Sequence, residues 1–311
     1  MSVAQQTHYQ VDHRKHLLRS VLYFDIFNYP LTAKEIASFS NLPTNISIQA
    51  LLDELVTSRT LFQLGEFYSI QNNPALNERR VKGNALAKQK MEQAKKYSGI
   101  ISAFPFVRAV MLSGSISKNY MDEKSDIDYF IITAPKRLWV VRTAMAFFRR
   151  VFLLNSHKNF CTNYFLDTEN LTIPDQNIFT TVELLTLKPM YGTQCIESFH
   201  RANPWTNEFL PNVKPDTAAV LTDGSVLKNI FEKILSLNIF DSLDRWLLRI
   251  TIRRWKAKHG SALSEEDFKV AFRSTNGISR SHPQFFQKRV MDRFDQKIQS
   301  FEVRHGIDLS L

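Results

Sequence analysis

Cysteine is nearly absent: the 311 residues hold only Cys161 and Cys195. Two thiols are too few for a disulfide framework, and a reducing compartment is expected. No apolar run follows the opening "MSVAQQTHYQVDHRKH", so a secretory leader is not expected either. The longest hydrophobic stretch, "RLWVVRTAMAFFRRVFLL" at 137–154, is interrupted by Arg142, Arg149 and Arg150. Charges there would be costly at a bilayer centre, so the stretch reads as a buried or half-buried helix and not as a membrane span. The expectation is a cytoplasmic protein with no membrane partner. His157, Cys161, Cys195 and His200 lack zinc-ligand spacing, and no internal repeat or low-complexity segment is present.

What the chain does have is length and positive charge. At 311 residues it exceeds the usual single domain, and 44% apolar composition is ordinary for a folded protein. A formal charge of +10 and a pI near 9.5 favour anionic partners such as nucleotides, nucleic acid or an acidic surface.

Periodicity divides the chain into three parts, 1–73, 74–200 and 201–311. In the first, "RKHLLRSVLYFDIFN" is amphipathic, Thr32 with Glu35 three residues later forms a capping box, and "TNISIQALLDELVTSRT" supplies a third helix. "LFQLGEFYSI" reads as two short strands around Gly65. Helix, helix, helix, hairpin resembles a winged helix. Its third helix carries Gln49, Asp53 and Glu54 with only Arg59 near the end, so DNA binding is a lesser expectation than packing or partner contact.

A charged helix over 74–99 follows, with Arg79, Arg80, Lys82, Lys88, Lys90, Lys95 and Lys96 read as a solvated face. The strands "VRAVMLS", "IDYFIIT" and "FCTNYFL", with a helix at about 136–155, predict a small mixed sheet covered on at least one side, hence an α+β chain. "NIFTTVELLTLKPMYG" is expected to continue as helix, and everything after 225 to be helical. Arg245, Arg249, Arg253, Arg254, Lys256 and Lys258 crowd the end of a helix there, where its dipole favours cations. The segment 272–294, with Arg280, His282, Lys288 and Arg289, could fold over a ligand.

The chemistry concentrates in "MLSGSISKNYMDEKSDIDYFIIT", residues 111–133. Asp126 and Asp128 stand two apart in an extended segment, so both carboxylates project to one face, about 7 Å apart at the backbone. Like charges held together call for a cation, and hard oxygen ligands with few protein contacts suit Mg²⁺, which keeps positions for water and phosphate. Gly114 lets the backbone approach a ligand, and Ser115 with nearby amides can hold a phosphate oxygen.

Gly114-Ser115, ten residues, then Asp126-Ile127-Asp128-Tyr129 inside an apolar strand resembles the signature of the nucleotidyltransferase superfamily, whose fold DNA polymerase beta and kanamycin nucleotidyltransferase share. The resemblance covers roughly residues 100–200. It implies a nucleotidyltransferase domain between a winged-helix-like domain and a C-terminal helical region, with Gly114 and Ser115 on the triphosphate, Asp126 and Asp128 on Mg²⁺, and Lys118 toward the phosphates. That family normally adds a third carboxylate on a later strand. By strand position the residue here is Asn163, which cannot accept a proton; Asp167 shares its parity at the far end of the strand, and Glu169 follows. Either Asp167 completes the catalytic set or the third acid is missing. The expected activity is Mg²⁺-dependent transfer of a nucleoside monophosphate from an NTP to a hydroxyl acceptor, which could be a small molecule, a protein or a nucleic acid. A nucleotide-sensing or nucleic-acid-binding regulator and a scaffold without activity are the competing expectations.

Overall fold

The run "DYFIIT" has almost no polar alternation, as a strand buried on both faces should. In the computed structural model it is the central strand of a five-stranded mixed sheet. The structure describes residues 3–310 except 44, 223–225, 237–238, 261–263, 266–267, 269–271 and 281–285, with 3–12, 226, 227, 234, 239 and 259 described by backbone alone.

The first part folds as α1 (Val3–Asp25), β1 (Leu31–Thr32), α2 (Ala33–Phe39), α3 (Ile48–Thr57), β2 (Phe62–Leu64) and β3 (Phe67–Ser69). The strands form an antiparallel sheet in the order β1-β3-β2. The capping box at Thr32 and Glu35 is present, each side chain bonded to the other's backbone amide. α4 (Ala75–Ser102) then leads to β4 (Val107–Ser113), α5 (Gly114–Ser117), β5 (Asp128–Thr133), α6 (Leu138–Phe152) and β6 (Cys161–Asp167). α7 (Ile178–Leu185), β7 (Lys188–Tyr191), α8 (Thr193–Arg201), α9 (Thr206–Phe209), α10 (Val226–Leu235), α11 (Ile239–His259), β8 (Ile278–Arg280) and α12 (Phe286–His305) follow.

The larger sheet runs β7-β4-β5-β6-β8, with β5 and β6 parallel and every other pair antiparallel. On one face Val110, Leu112, Tyr129, Ile131 and Phe165 pack with residues of α4 and α6; on the other Met111, Phe130, Ile132 and Leu166 meet Leu184, Ile196 and Phe199 of α7 and α8. A separate core joins Leu18, Val21, Leu22, Ile36 and Leu52 of the N-terminal elements to Val182 and Leu185 of α7 and to Val290, Phe294, Ile298 and Phe301 of α12.

Two strands correct the sequence reading. The helix beginning at Ile178 stops at Leu185, where the Thr186 hydroxyl turns back to the Val182 carbonyl at 2.6 Å, and "KPMY" becomes β7. Pro189 is tolerated because β7 is an edge strand, where a missing N–H breaks no inner ladder. The region after 225 is not wholly helical either, since β8 forms the opposite edge against β6. No helix among the described residues is long and apolar enough to cross a membrane.

Candidate functional site

β4 and β5 pair so that Ser113 lies opposite Asp128, which places the turn starting at Gly114 directly over that aspartate. Gly114 has φ +66°, and a Cβ there would stand 2.6 Å from Asp128 Oδ2. The turn and the acid therefore approach more closely than any other residue at 114 permits. Gly114 opens α5, whose N-cap residue Ser113 makes no side-chain bond to the first turn. Ser115 is half-buried, and its carbonyl accepts the amides of Lys118 and Tyr120. Lys118 reaches back to the Gly114 carbonyl at 3.2 Å and pairs with Glu183 at 2.8 Å.

Burial pushes Asp128 up to about 7; the neighbouring Cys161 thiol draws it down, Asp126 and Glu183 raise it further, and Lys118 opposes them. Asn163 Nδ2 donates to Asp128 Oδ1 at 2.7 Å, and Asn163 Oδ1 accepts the Cys161 thiol at 3.1 Å. Local backbone geometry explains the amide's placement. The β5–β6 register jumps from Tyr129↔Thr162 to Phe130↔Tyr164, leaving Asn163 as an extra residue in a bulge. Bulges re-aim side chains in this way. Burial also raises the Cys161 thiol, while burial and the adjacent Arg149 guanidinium lower His157.

The structure thus brings Gly114, Ser115, Lys118, Asp128 and Asn163 to one place, with Asp126 close enough to act on the Asp128 charge. Asp167 is not brought there. It pairs with Thr133, five residues along β5 from Asp128, or about 16 Å at roughly 3.3 Å per residue. Its buried carboxylate accepts the Glu169 amide at 3.0 Å and Asn170 Nδ2 at 2.7 Å, closing the turn after β6. Asp167 closes a turn, and Asn163 is the β6 side chain that stands beside Asp128.

The basic residues of α4 also divide. Arg79 donates to the Phe27 and Asn28 carbonyls, and buried Arg80 pairs with Glu35 at 2.6 Å and bonds Asn84 and the Pro30 carbonyl, so both tie α4 to the N-terminal elements. Of the segment 272–294, Arg280 pairs with Asp175 at 2.6 Å, and His282 lies outside the described residues.

Asp128 and its neighbours form one end of a cavity of about 630 Å³. Sequence reading missed most of the other wall. Phe130 and Tyr164 stack at 4.8 Å on the sheet side, and Tyr23, Phe27, Phe179 and Phe286 face them from α1, α7 and α12. Glu183 was missed as well; the single carboxylate in the otherwise uncharged "IFTTVELL" is the only sequence signal that could have found it.

The chain matches no family model, no curated protein and no solved structure. Whether Mg²⁺ suits the site can be judged from the donors. Asp126 and Asp128 carry hard oxygen donors, and burial raises Asp128, so a nearby cation would favour its charged form. Among the described residues no three His, Cys, Asp or Glu side chains are grouped to hold an ion by themselves. A divalent ion on this pair would take its remaining ligands from water and phosphate, as Mg²⁺ ordinarily does.

Proposed function

We propose that the chain is a Mg²⁺-dependent nucleotidyltransferase that moves a nucleoside monophosphate from an NTP to a hydroxyl acceptor. The observation that carries this reading is the contact between the Gly114 turn and the Asp128 carboxylate at the end of a large cavity. In the proposal, Gly114 and Ser115 hold triphosphate oxygens, Asp126 and Asp128 hold the metal, and Lys118 adds positive charge beside the turn. Bound Mg²⁺ would neutralise the acid pair and lower the pKa of a coordinated hydroxyl. Asn163 orients Asp128 through its amide and takes no proton itself. The acceptor enters through the aromatic cavity, whose outer wall is supplied by the winged-helix-like unit and α12.

A nucleotide-binding regulator is the second reading, favoured by the neutral Asn163 where a third carboxylate would stand. Groove binding to DNA by α3 has less support: Asp53 bonds Gln49 and Glu54 pairs with Arg14, so the helix presents little free positive charge. Incubation with each NTP labelled at the α-phosphate, Mg²⁺ and candidate acceptors tests both. Wild-type protein should transfer label, and Asp126→Ala with Asp128→Ala should reduce transfer about a hundredfold or more. Equal label release by the two proteins refutes the transferase reading; tight nucleotide binding without any transfer supports the regulator.

A further inference from the structure

The C-terminal end of α6 carries an apolar surface that neither the sheet nor the cavity uses. Phe147 is 65% exposed, Val151 49%, Phe152 65% and Leu154 91%. Exposed large side chains scattered singly need no explanation, but these four fall within eight residues at one end of α6. Phe147 and Val151 are one helical turn apart, so they share a face. Beyond the helix, Leu154 and Asn155 take left-handed conformations (φ 47° and 62°) that end the helix with Leu154 in solvent.

The segment that carries this patch has charge of one sign. Residues 137–158 contain five Arg or Lys and no Asp or Glu. α11 packs along α6: Asp244 accepts the Trp139 and Val140 amides, and Arg142 lies 5.0 Å from the Trp255 ring. Its stretch 245–260 adds six Arg or Lys, again with no acid. Arg150, Lys158, Arg253, Arg254 and Lys258 are exposed, and at His157 the charges of Arg149 and Lys258 outnumber that of Asp126, the one acid acting there. Lys256 has Glu265 at 4.0 Å.

We propose that this α6–α11 face docks on the surface of a bilayer containing anionic phospholipid. Apolar side chains that enter the headgroup boundary, ringed by Lys and Arg that meet lipid phosphates, are the two parts such binding needs. Neither part requires a membrane-crossing helix. A second copy of the chain fits the face less well, since two surfaces of the same positive charge repel. A nucleic acid would use the cations but gives Leu154 and Phe152 nothing to enter. The location has a consequence. The segment after α6 leads into Cys161, which pairs with Asp128, so the patch lies at the acid-bearing end of the sheet. The proposal does not depend on the transferase reading.

Co-sedimentation of the full chain with phosphatidylcholine vesicles, with and without about one-third phosphatidylglycerol, tests it. Binding is expected only to the anionic vesicles, and it should fall as salt rises from about 0.1 to about 0.5 M, because screening shortens the reach of the charges. Phe152→Ser with Leu154→Ser should weaken it about tenfold or more. Arg150→Gln with Lys158→Gln should weaken it about thirtyfold, near 1 kcal/mol per cation. All four positions are exposed, and circular dichroism melts should match wild type. Any of three results overturns the proposal: no vesicle binding, binding that neither pair of substitutions alters, or a dimer in sedimentation equilibrium that Leu154→Ser dissolves. Displacement from vesicles by RNA that the apolar pair leaves unchanged would assign the face to nucleic acid and overturn it equally.

Discussion

Gly114 is where a single side chain would do most damage. A methyl group there must meet Asp128 Oδ2 at 2.6 Å while the backbone sits at φ +66°. Gly114→Ala should therefore cost about 1–3 kcal/mol of stability and move the turn away from the acid. Nucleotide affinity, read by calorimetry, should fall with it. Gly99 provides the control: a Cβ on that residue of α4 meets nothing within 4 Å, so Gly99→Ala should raise stability by about 0.5–1 kcal/mol. Equal melting temperatures and equal nucleotide affinity for the two variants would show that the close approach at Gly114 has no role. At this scale the sequence was readable wherever the constraint was local. The nearness of Gly114 and Ser115 to Asp128 was legible because a turn and the strand beside it are set by adjacent residues, whereas Asp126, read as sharing a strand with Asp128, precedes β5. Asn163 and Asp167 could not be separated in the same way. The choice rests on a bulge in β6 and on register with β5, and neither leaves a mark in composition.

Elements show the same division between local and distant causes. The Thr32–Glu35 capping box and the hairpin around Gly65 were legible, since each is complete within a few residues. α6 was legible as a helix at about 136–155, but what holds its start was not: no side chain of its own caps it, and buried Asp244 of α11, more than a hundred residues later, accepts the Trp139 and Val140 amides at 2.8 and 2.9 Å. β7 was hidden by a four-residue length and a proline, and β8 by a three-residue one. The basic residues of α4 read as a solvated face, yet Arg80 is only 3% exposed, lies 3.8 Å from the Tyr29 ring and pairs with Glu35. Removing it strands the Pro30 carbonyl and a partly buried carboxylate. Arg80→Leu should lower unfolding free energy by about 3–5 kcal/mol, measured in urea. Adding Glu35→Leu should recover part of the loss, because the orphaned charge is then gone. A double variant whose loss equals the sum of the two single losses would show that the pair is not coupled.

Across the whole molecule, the cavity exists because distant segments share a core. Tyr23 and Phe27 reach it from α1, Phe179 from α7 and Phe286 from α12, so its outer wall depends on how the two ends of the chain meet. Phe294 is central to that meeting: it is 4% exposed, its ring lies edge-on to Tyr23 at 5.6 Å, and Arg19 stands over it at 5.5 Å. Hydrophobic periodicity marked α1 as amphipathic, whereas the first half of α12 was read within a polar segment over 272–294, and pairing across the full chain length has no local signature. Phe294→Ala should remove about 3–5 kcal/mol through lost burial and the cavity left behind. The same core takes in Val182 and Leu185 of α7, whose neighbour Leu184 packs on the sheet, so the N-terminal elements are mechanically joined to the sheet bearing Asp128. The loss should then appear as one calorimetric transition moved to lower temperature. Should the variant instead show two transitions, with only the lower one shifted, the ends of the chain would form a unit that unfolds without the sheet. The aromatic wall of the cavity would then open independently of Asp128 at its other end.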